Sequence, residues 1–235
     1  MNFKTKILAS GLSIAMLALA NMASAASVTP NFDTFGNLTT QSGGQVTFGG
    51  SGIPTSPAAV SDFIVGSDNI RVGIIATPRF SSPTPTNDGA GTYTAQTGES
   101  ASGLSLWNFS FFAESSGDLA NAGIKLYYDL DPTVGNDLST LGVIDVGFFN
   151  TGSVFDGSQN LGFGYLASGA PGVTAPVPFA GAFSPFAPGE YSFRIGTDTD
   201  FAAINVNVAA VPLPAGLPLF LTAIAGLYWV RRKPA

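Results

Sequence analysis

The residues of this chain best suited to chemistry lie in one run, Asp129-Leu130-Asp131-Pro132-Thr133-Val134-Gly135-Asn136-Asp137. A hard cation such as Ca²⁺ takes six to eight oxygens from carboxylates, amides and carbonyls. On an extended strand end Asp129 and Asp131 share a face, because side chains alternate with period 2. Asn136 and Asp137 follow across a turn and can return oxygens to the same point. The candidate ligand set is therefore Asp129, Asp131, Asn136 and Asp137. The spacing is not that of an EF-hand, since the third ligand position and the glycine do not match. The competing reading is an Asx-rich turn whose side chains bond local backbone. Asp198-Thr199-Asp200 is a weaker case of the same kind.

Other chemistries are removed by composition. The chain has 235 residues with no Cys and no His. It therefore has no disulfides, no Cys nucleophile, no Ser-His-Asp triad and no His-ligated zinc. A hydrolase would have to work with carboxylates, as glycosidases do with a pair about 5–9 Å apart. Only Glu99, Glu114 and Glu190 are glutamates between Ala26 and Ala210, and nothing in their spacing marks a pair. The chain reads as non-enzymatic. Carbohydrate binding is the more serious alternative, and Trp107, Tyr93, Tyr127 and Tyr165 are its candidates by residue type. Asn37-Leu38-Thr39 and Asn108-Phe109-Ser110 match the glycosylation triplet and are read as chance.

These residues sit in a region with strand periodicity. Ile124, Leu126, Tyr128 and Leu130 alternate with Lys125, Tyr127 and Asp129. Tyr191, Phe193 and Ile195 alternate with Ser192 and Arg194, and Ile204, Val206 and Val208 with Asn205 and Asn207. Leu104–Phe112 would place Trp107, Phe109 and Phe111 on one face. Ile70–Ala76 and Leu141–Phe149 are near-continuous apolar runs, as central strands require. Gln45–Phe48 and Leu161–Leu166 are weaker strands. No stretch shows clear 3.6-residue periodicity. The expected fold is all-β, an antiparallel β-sandwich, Ig-like or jelly-roll-like, over 26–210. Of the chain's 19 Phe, the 17 within 26–210 are expected to supply much of the core. Pro78–Gly103 and Ala167–Gly189 read as long loops. Phe179, Phe183 and Phe186 in the second are expected to cover a sheet edge.

Both ends differ from this middle. Residues 1–25 read as a signal peptide that forms a helix in transit. Lys4 and Lys6 are its positive region, and Ile7–Ala20 its apolar run. Ala23 and Ala25 are the small residues that signal peptidase accepts, with cleavage after Ala25. At 211–235 three parts follow in order. The motif 211–216 is Val-Pro-Leu-Pro-Ala-Gly. An apolar helix follows over 215–230. Arg231, Arg232 and Lys233 then form a basic tail that the positive-inside rule holds in the cytoplasm. The 16 residues of 215–230 reach about 24 Å as a helix at ~1.5 Å each, short of the ~30 Å hydrocarbon core without help from the flanks.

This order of motif, span and basic tail resembles the VPLPA variant of the PEP-CTERM sorting signal. The resemblance covers Val211–Ala235. It implies that Val211, Pro212, Leu213, Pro214 and Ala215 are recognised by an exosortase, a membrane-embedded cysteine protease of Gram-negative bacteria. It also implies passage across the inner membrane, transient anchoring there, loss of the tail, and arrival at the cell surface or extracellular matrix. The family is associated with exopolysaccharide and biofilm, which makes exopolysaccharide the implied partner. A plain, unprocessed membrane anchor is the alternative. More loosely, Tyr127–Pro132, Gln159–Phe163 and Gly189–Phe193 resemble ectodomains that carry such tails, which implies a shared scaffold and no particular activity.

Without the two ends, Arg71, Arg79, Lys125 and Arg194 face all 15 acids, for a net charge of −11. Such a surface repels phosphate backbones, so nucleic acid is not an expected partner.

Overall fold

The computed structural model describes residues 28–100 and 102–210. The segment expected to be a signal peptide, with Ala23 and Ala25, the motif Val211–Ala215, the apolar span 215–230 and Arg231, Arg232 and Lys233 lie outside them. The described chain is an all-β sandwich of two sheets. Strands β1 (Thr34–Gly36), β2 (Ala58–Val65), β3 (Asp68–Pro78), β6 (Trp107–Ser115) and β9 (Val154–Gln159) make the first, in the order β1-β2-β3-β6-β9. The second contains β4 (Thr86–Asn87), β5 (Thr92–Gln96), β7 (Lys125–Tyr128), β8 (Gly142–Asp145), β10 (Val173–Thr174), β11 (Gly189–Gly196) and β12 (Phe201–Ala209). Its order is β10-β8-β7-β11-β12-β5-β4.

Alternation decides which faces meet. On β6, Trp107, Phe109 and Phe111 point inward and are buried, as their spacing predicts. Trp107 meets Tyr191 and Phe193 of β11, and Phe109 meets Phe193; their partners Val206 and Ile204 on β12 are also buried. The outer face of the first sheet is covered as well. The segment between β1 and β2 returns across it and buries Leu38, Val46 and Phe48. Leu38 sits directly on Gly73, where a Cβ would lie 2.6 Å from its Cδ1. Phe179 and Phe183 of the Pro-rich loop pack on the core, whereas Phe186, half-buried, is not part of that cluster.

Five expectations are corrected. The sandwich is mixed rather than purely antiparallel, because β5 runs parallel to β12 from Thr92↔Asn205 to Gln96↔Ala209. That strand lies inside the stretch read as a loop. Leu141–Phe149 is half strand: at Asp145 the chain turns into the helical turn α2 (Val146–Phe149), with the Asp145 carboxylate accepting the Phe148 N–H at 3.3 Å. An N-terminal cap of this kind satisfies an amide that has no partner within the helix. Leu161–Leu166 leads into another helical turn, α3 (Gly164–Ser168). Gln45–Phe48 forms no strand, only a single bridge from Gln45 to Thr39. A further turn, α1 (Leu119–Ala122), is capped by Asp118 through a 2.9 Å bond from the Ala120 N–H. All three helical turns are four or five residues long, too short for 3.6-residue periodicity to register.

The two described ends lie at one end of the sandwich. Val28 donates to the carbonyl of Asn136 at 3.0 Å, and Asn31 bridges Ala203 in antiparallel fashion. The described chain therefore enters beside β12, the strand by which it leaves.

Candidate functional site

The Asp129 run forms a closed loop between β7 and β8. Asp129 is buried, with 2% of its surface exposed. Its Oδ1 accepts the Asp131 N–H at 2.9 Å. Its Oδ2 accepts the Asn136 Nδ2–H at 2.9 Å and the Ser192 N–H at 3.2 Å. Burial pushes its carboxyl up to about 6, against the opposing pull of those three donors. Asp131 Oδ1 accepts the Thr133 N–H at 2.9 Å. Asn136 Nδ2 also donates to the carbonyls of Asp131 and Thr133 at 2.9 and 2.8 Å.

The loop thus brings Asp129, Asp131 and Asn136 together. Asp137 turns away and accepts from the Ser139 N–H at 2.7 Å. Asn136 presents N–H to Asp129 rather than oxygen to a shared centre. Among the described residues, no group of three or more Asp, Glu, His or Cys side chains has the geometry to hold a metal ion. The arrangement favours the Asx-turn reading, in which each carboxylate satisfies a backbone amide. At Asp198-Thr199-Asp200, the Thr199 hydroxyl donates to Asp200 Oδ2 at 2.6 Å. The carbonyls of Thr197 and Asp198 accept from Arg194 Nη2 at 2.6 and 2.8 Å.

The sugar candidates are mostly internal. Trp107, Tyr93 and Tyr127 are buried, and the Tyr93 hydroxyl donates to the Pro57 carbonyl. Tyr127 lies under the Arg194 guanidinium at 5.6 Å. Only Tyr165 reaches the surface. Its hydroxyl donates to Gln159 Oε1, and its ring stacks on Phe163 at 5.9 Å. The three glutamates are dispersed. Glu114 on β6 accepts the Gln41 N–H at 2.5 Å, Glu190 on β11 pairs with Asn207, and Glu99 bridges Ser105.

Two concave surfaces were not anticipated. The larger, about 490 Å³, opens between the free edge of β9 and the β8–β10 edge. Phe111, Phe148, Phe149, Phe155, Tyr165 and Val173 line it. Phe148 and Phe149 remain well exposed there because α2 lifts them off the sheet. Its polar rim groups, Gln159 and Tyr165, are spent on each other, so it offers apolar contact and little else. Asp145 ahead of Val-Gly-Phe-Phe is the N-cap signal that would have located this turn.

The second, about 330 Å³, lies at the end of β3. The loop Gly50–Pro54 forms one wall and Pro78, Arg79 and Phe80 the other, with Asn108 at the floor. The Arg79 guanidinium lies 4.7 Å from the Phe80 ring centre and 5.9 Å from that of Phe163. Its Nε donates to Ser102 Oγ at 3.3 Å. Arg-Phe after a strand-ending Pro carries no spacing signal, so sequence reading passed over it.

No known protein family, curated protein or solved structure matches this chain.

Proposed function

We propose that this chain is an exported, non-enzymatic surface or matrix protein of a Gram-negative bacterium, processed at its C-terminus by an exosortase and linked to exopolysaccharide. The observation that carries this reading is the order of Val211–Gly216, the apolar span and Arg231-Arg232-Lys233, opposite a signal peptide at the other end. The sandwich would be an Ig-like or jelly-roll-like ectodomain, held between the signal helix and a C-terminal membrane helix until the tail is removed. Signal peptidase and the exosortase are its processing partners. The net charge of −11 over 26–210 suits an exported domain that stays soluble and avoids nucleic acid.

The test is the intact mass of the protein from its host, with and without the exosortase. A species from Ala26 to about Pro214, formed only when the protease is present, is the expected result. Retention of Leu217–Ala235 in both strains would make the protein a plainly anchored ectodomain and remove its link to exopolysaccharide.

A second reading, a carbohydrate-binding module, is favoured by one observation. An aromatic ring, Phe80, stands 82% exposed at the rim of a pocket that also holds a guanidinium. A hydrolase has less support, since the three glutamates occupy separate elements.

A further inference from the structure

We propose that the pocket between Gly50–Pro54 and Arg79-Phe80 binds an acidic sugar unit, with Phe80 as the platform and Arg79 as the carboxylate receptor. This names the ligand class for the carbohydrate reading and rests on it.

Phe80 stands at the rim of the pocket. Its φ is +51°, in the left-handed region that a bulky side chain rarely adopts. Its ring is 82% exposed. The fold gains neither easy backbone geometry nor buried area from a phenylalanine here, and glycine would serve the turn better. Strained residues of this kind gather where a ligand is held. An exposed ring fits the C–H face of a pyranose, which is apolar while its hydroxyls point sideways.

Arg79 lies beside Phe80. The domain's other cations are differently placed. Arg71 is paired with Asp62 at 2.7 Å, Arg194 is buried against backbone carbonyls, and Lys125 stands on β7 opposite Asp145. Among the described residues Arg79 forms no ion pair. It is steadied by the Phe80 and Phe163 rings and one neutral hydroxyl, which leaves guanidinium N–H groups for a planar, two-pronged acceptor.

The opposite wall is Gly50–Pro54. Asp156 Oδ2 accepts the Gly49 N–H at 3.3 Å and so props the loop that walls the pocket. Backbone amides and carbonyls there suit hydroxyls of either hydrogen-bonding sense. About 330 Å³ sits at the small end of ligand pockets, enough for a single ring and part of the next.

The experiment titrates the full chain, purified in detergent, with trigalacturonate, with maltotriose as a neutral sugar and sodium sulfate as a bare anion, followed by calorimetry. Saturable binding of trigalacturonate alone is expected. Arg79→Ala and Phe80→Gly should each weaken it at least tenfold, and Arg79→Lys by less. Phe80→Gly should leave the melting temperature unchanged or raised, which separates ligand contact from folding. Equal binding of maltotriose would overturn the acidic assignment and keep the sugar reading. Binding of neither sugar would overturn both. Sulfate binding as tightly as trigalacturonate, or variants that bind normally, would also overturn the proposal. Tail processing is read separately and is untouched by any of these results.

Discussion

The rings of Phe109 and Phe193 stack across the sandwich, with centroids 4.6 Å apart and planes 26° from parallel. Phe109 belongs to β6 and Phe193 to β11, so this contact joins the two sheets near their centres. Trp107 meets the edge of the same Phe193 ring at 5.9 Å and 83°, and Tyr128 lies parallel to Phe109 at 6.3 Å. All four side chains are buried.

Phe193→Ala should therefore lower the unfolding free energy by about 3–5 kcal/mol, the usual cost of removing a core aromatic and leaving its cavity. Phe193→Leu should cost less than half of that. Urea unfolding at fixed pH measures both. A loss below about 1 kcal/mol for the alanine variant would mean that the sheets are not joined through this ring.

Asn160 joins β9 to the start of β6 from a fully buried position. Its Nδ2 donates to the carbonyls of Ser105 and Trp107 at 3.0 and 2.9 Å, and its Oδ1 accepts the Ser105 N–H at 3.1 Å and the Gly162 N–H at 3.0 Å. Asn160→Leu removes every one of these bonds and leaves buried backbone groups unpaired. Each such group costs about 1–3 kcal/mol, so the variant should be as damaging as Phe193→Ala despite being more apolar. Amide hydrogen exchange at Ser105 and Gly162 should speed up with it.

Asp129 gives the fold a pH dependence with a definite sign. Its carboxyl is raised from 3.8 to about 6, so the folded state keeps a proton that the unfolded chain has released. That contribution is fully present below about pH 4 and is lost as the pH rises through about 6, a change of roughly 2–3 kcal/mol. Asp129→Asn cannot titrate and should flatten this part of the stability profile. It should also lose absolute stability, because one carboxylate oxygen becomes N–H₂ and must face either the Asp131 N–H or the pair of donors on Ser192 and Asn136. Urea midpoints from pH 4 to 8 for both proteins decide it. A parent protein with no slope between pH 4 and 6 would refute the raised carboxyl.

Gly142 is the closest approach between β8 and the Tyr128 ring. A Cβ there would lie 2.2 Å from Tyr128 Cζ. Tyr128 has no room to yield, since its hydroxyl donates to the carbonyls of Leu166 and Thr174 at 2.7 and 3.0 Å. Gly142→Ala should cost about 1–3 kcal/mol as overpacking. Adding Tyr128→Phe should not restore it, because the clash is with the ring. Thermal melts of the single and double variants test this.

The strands that sequence alone located are those with long alternation and large side chains. Tyr191–Ile195, Ile204–Val208 and Trp107–Phe111 bury alternate residues against a facing sheet, and period 2 records that directly. Ile70–Ala76 was legible as a run because β3 is covered on both faces. Thr92–Gln96 was hidden because Tyr93 is its single large apolar residue; its place was settled by β12, which offered an unpaired edge. Ala58–Val65 was hidden by Ser61 and Asp62, and those are explained by Phe201, distant in the chain, and by Arg71 across the β2–β3 pairing. The proposed export signals are legible without any fold, because a peptidase or a membrane would read them as linear sequence. The Asp129 run showed its residue types but not their partners. Only the closed loop turned the Asn136 amide N–H toward Asp129, and only the approach of two distant segments placed Arg79 and Phe80 opposite Gly50–Pro54. Local periodicity encodes which face of a strand is buried; which groups then meet depends on chain crossings that no short window contains.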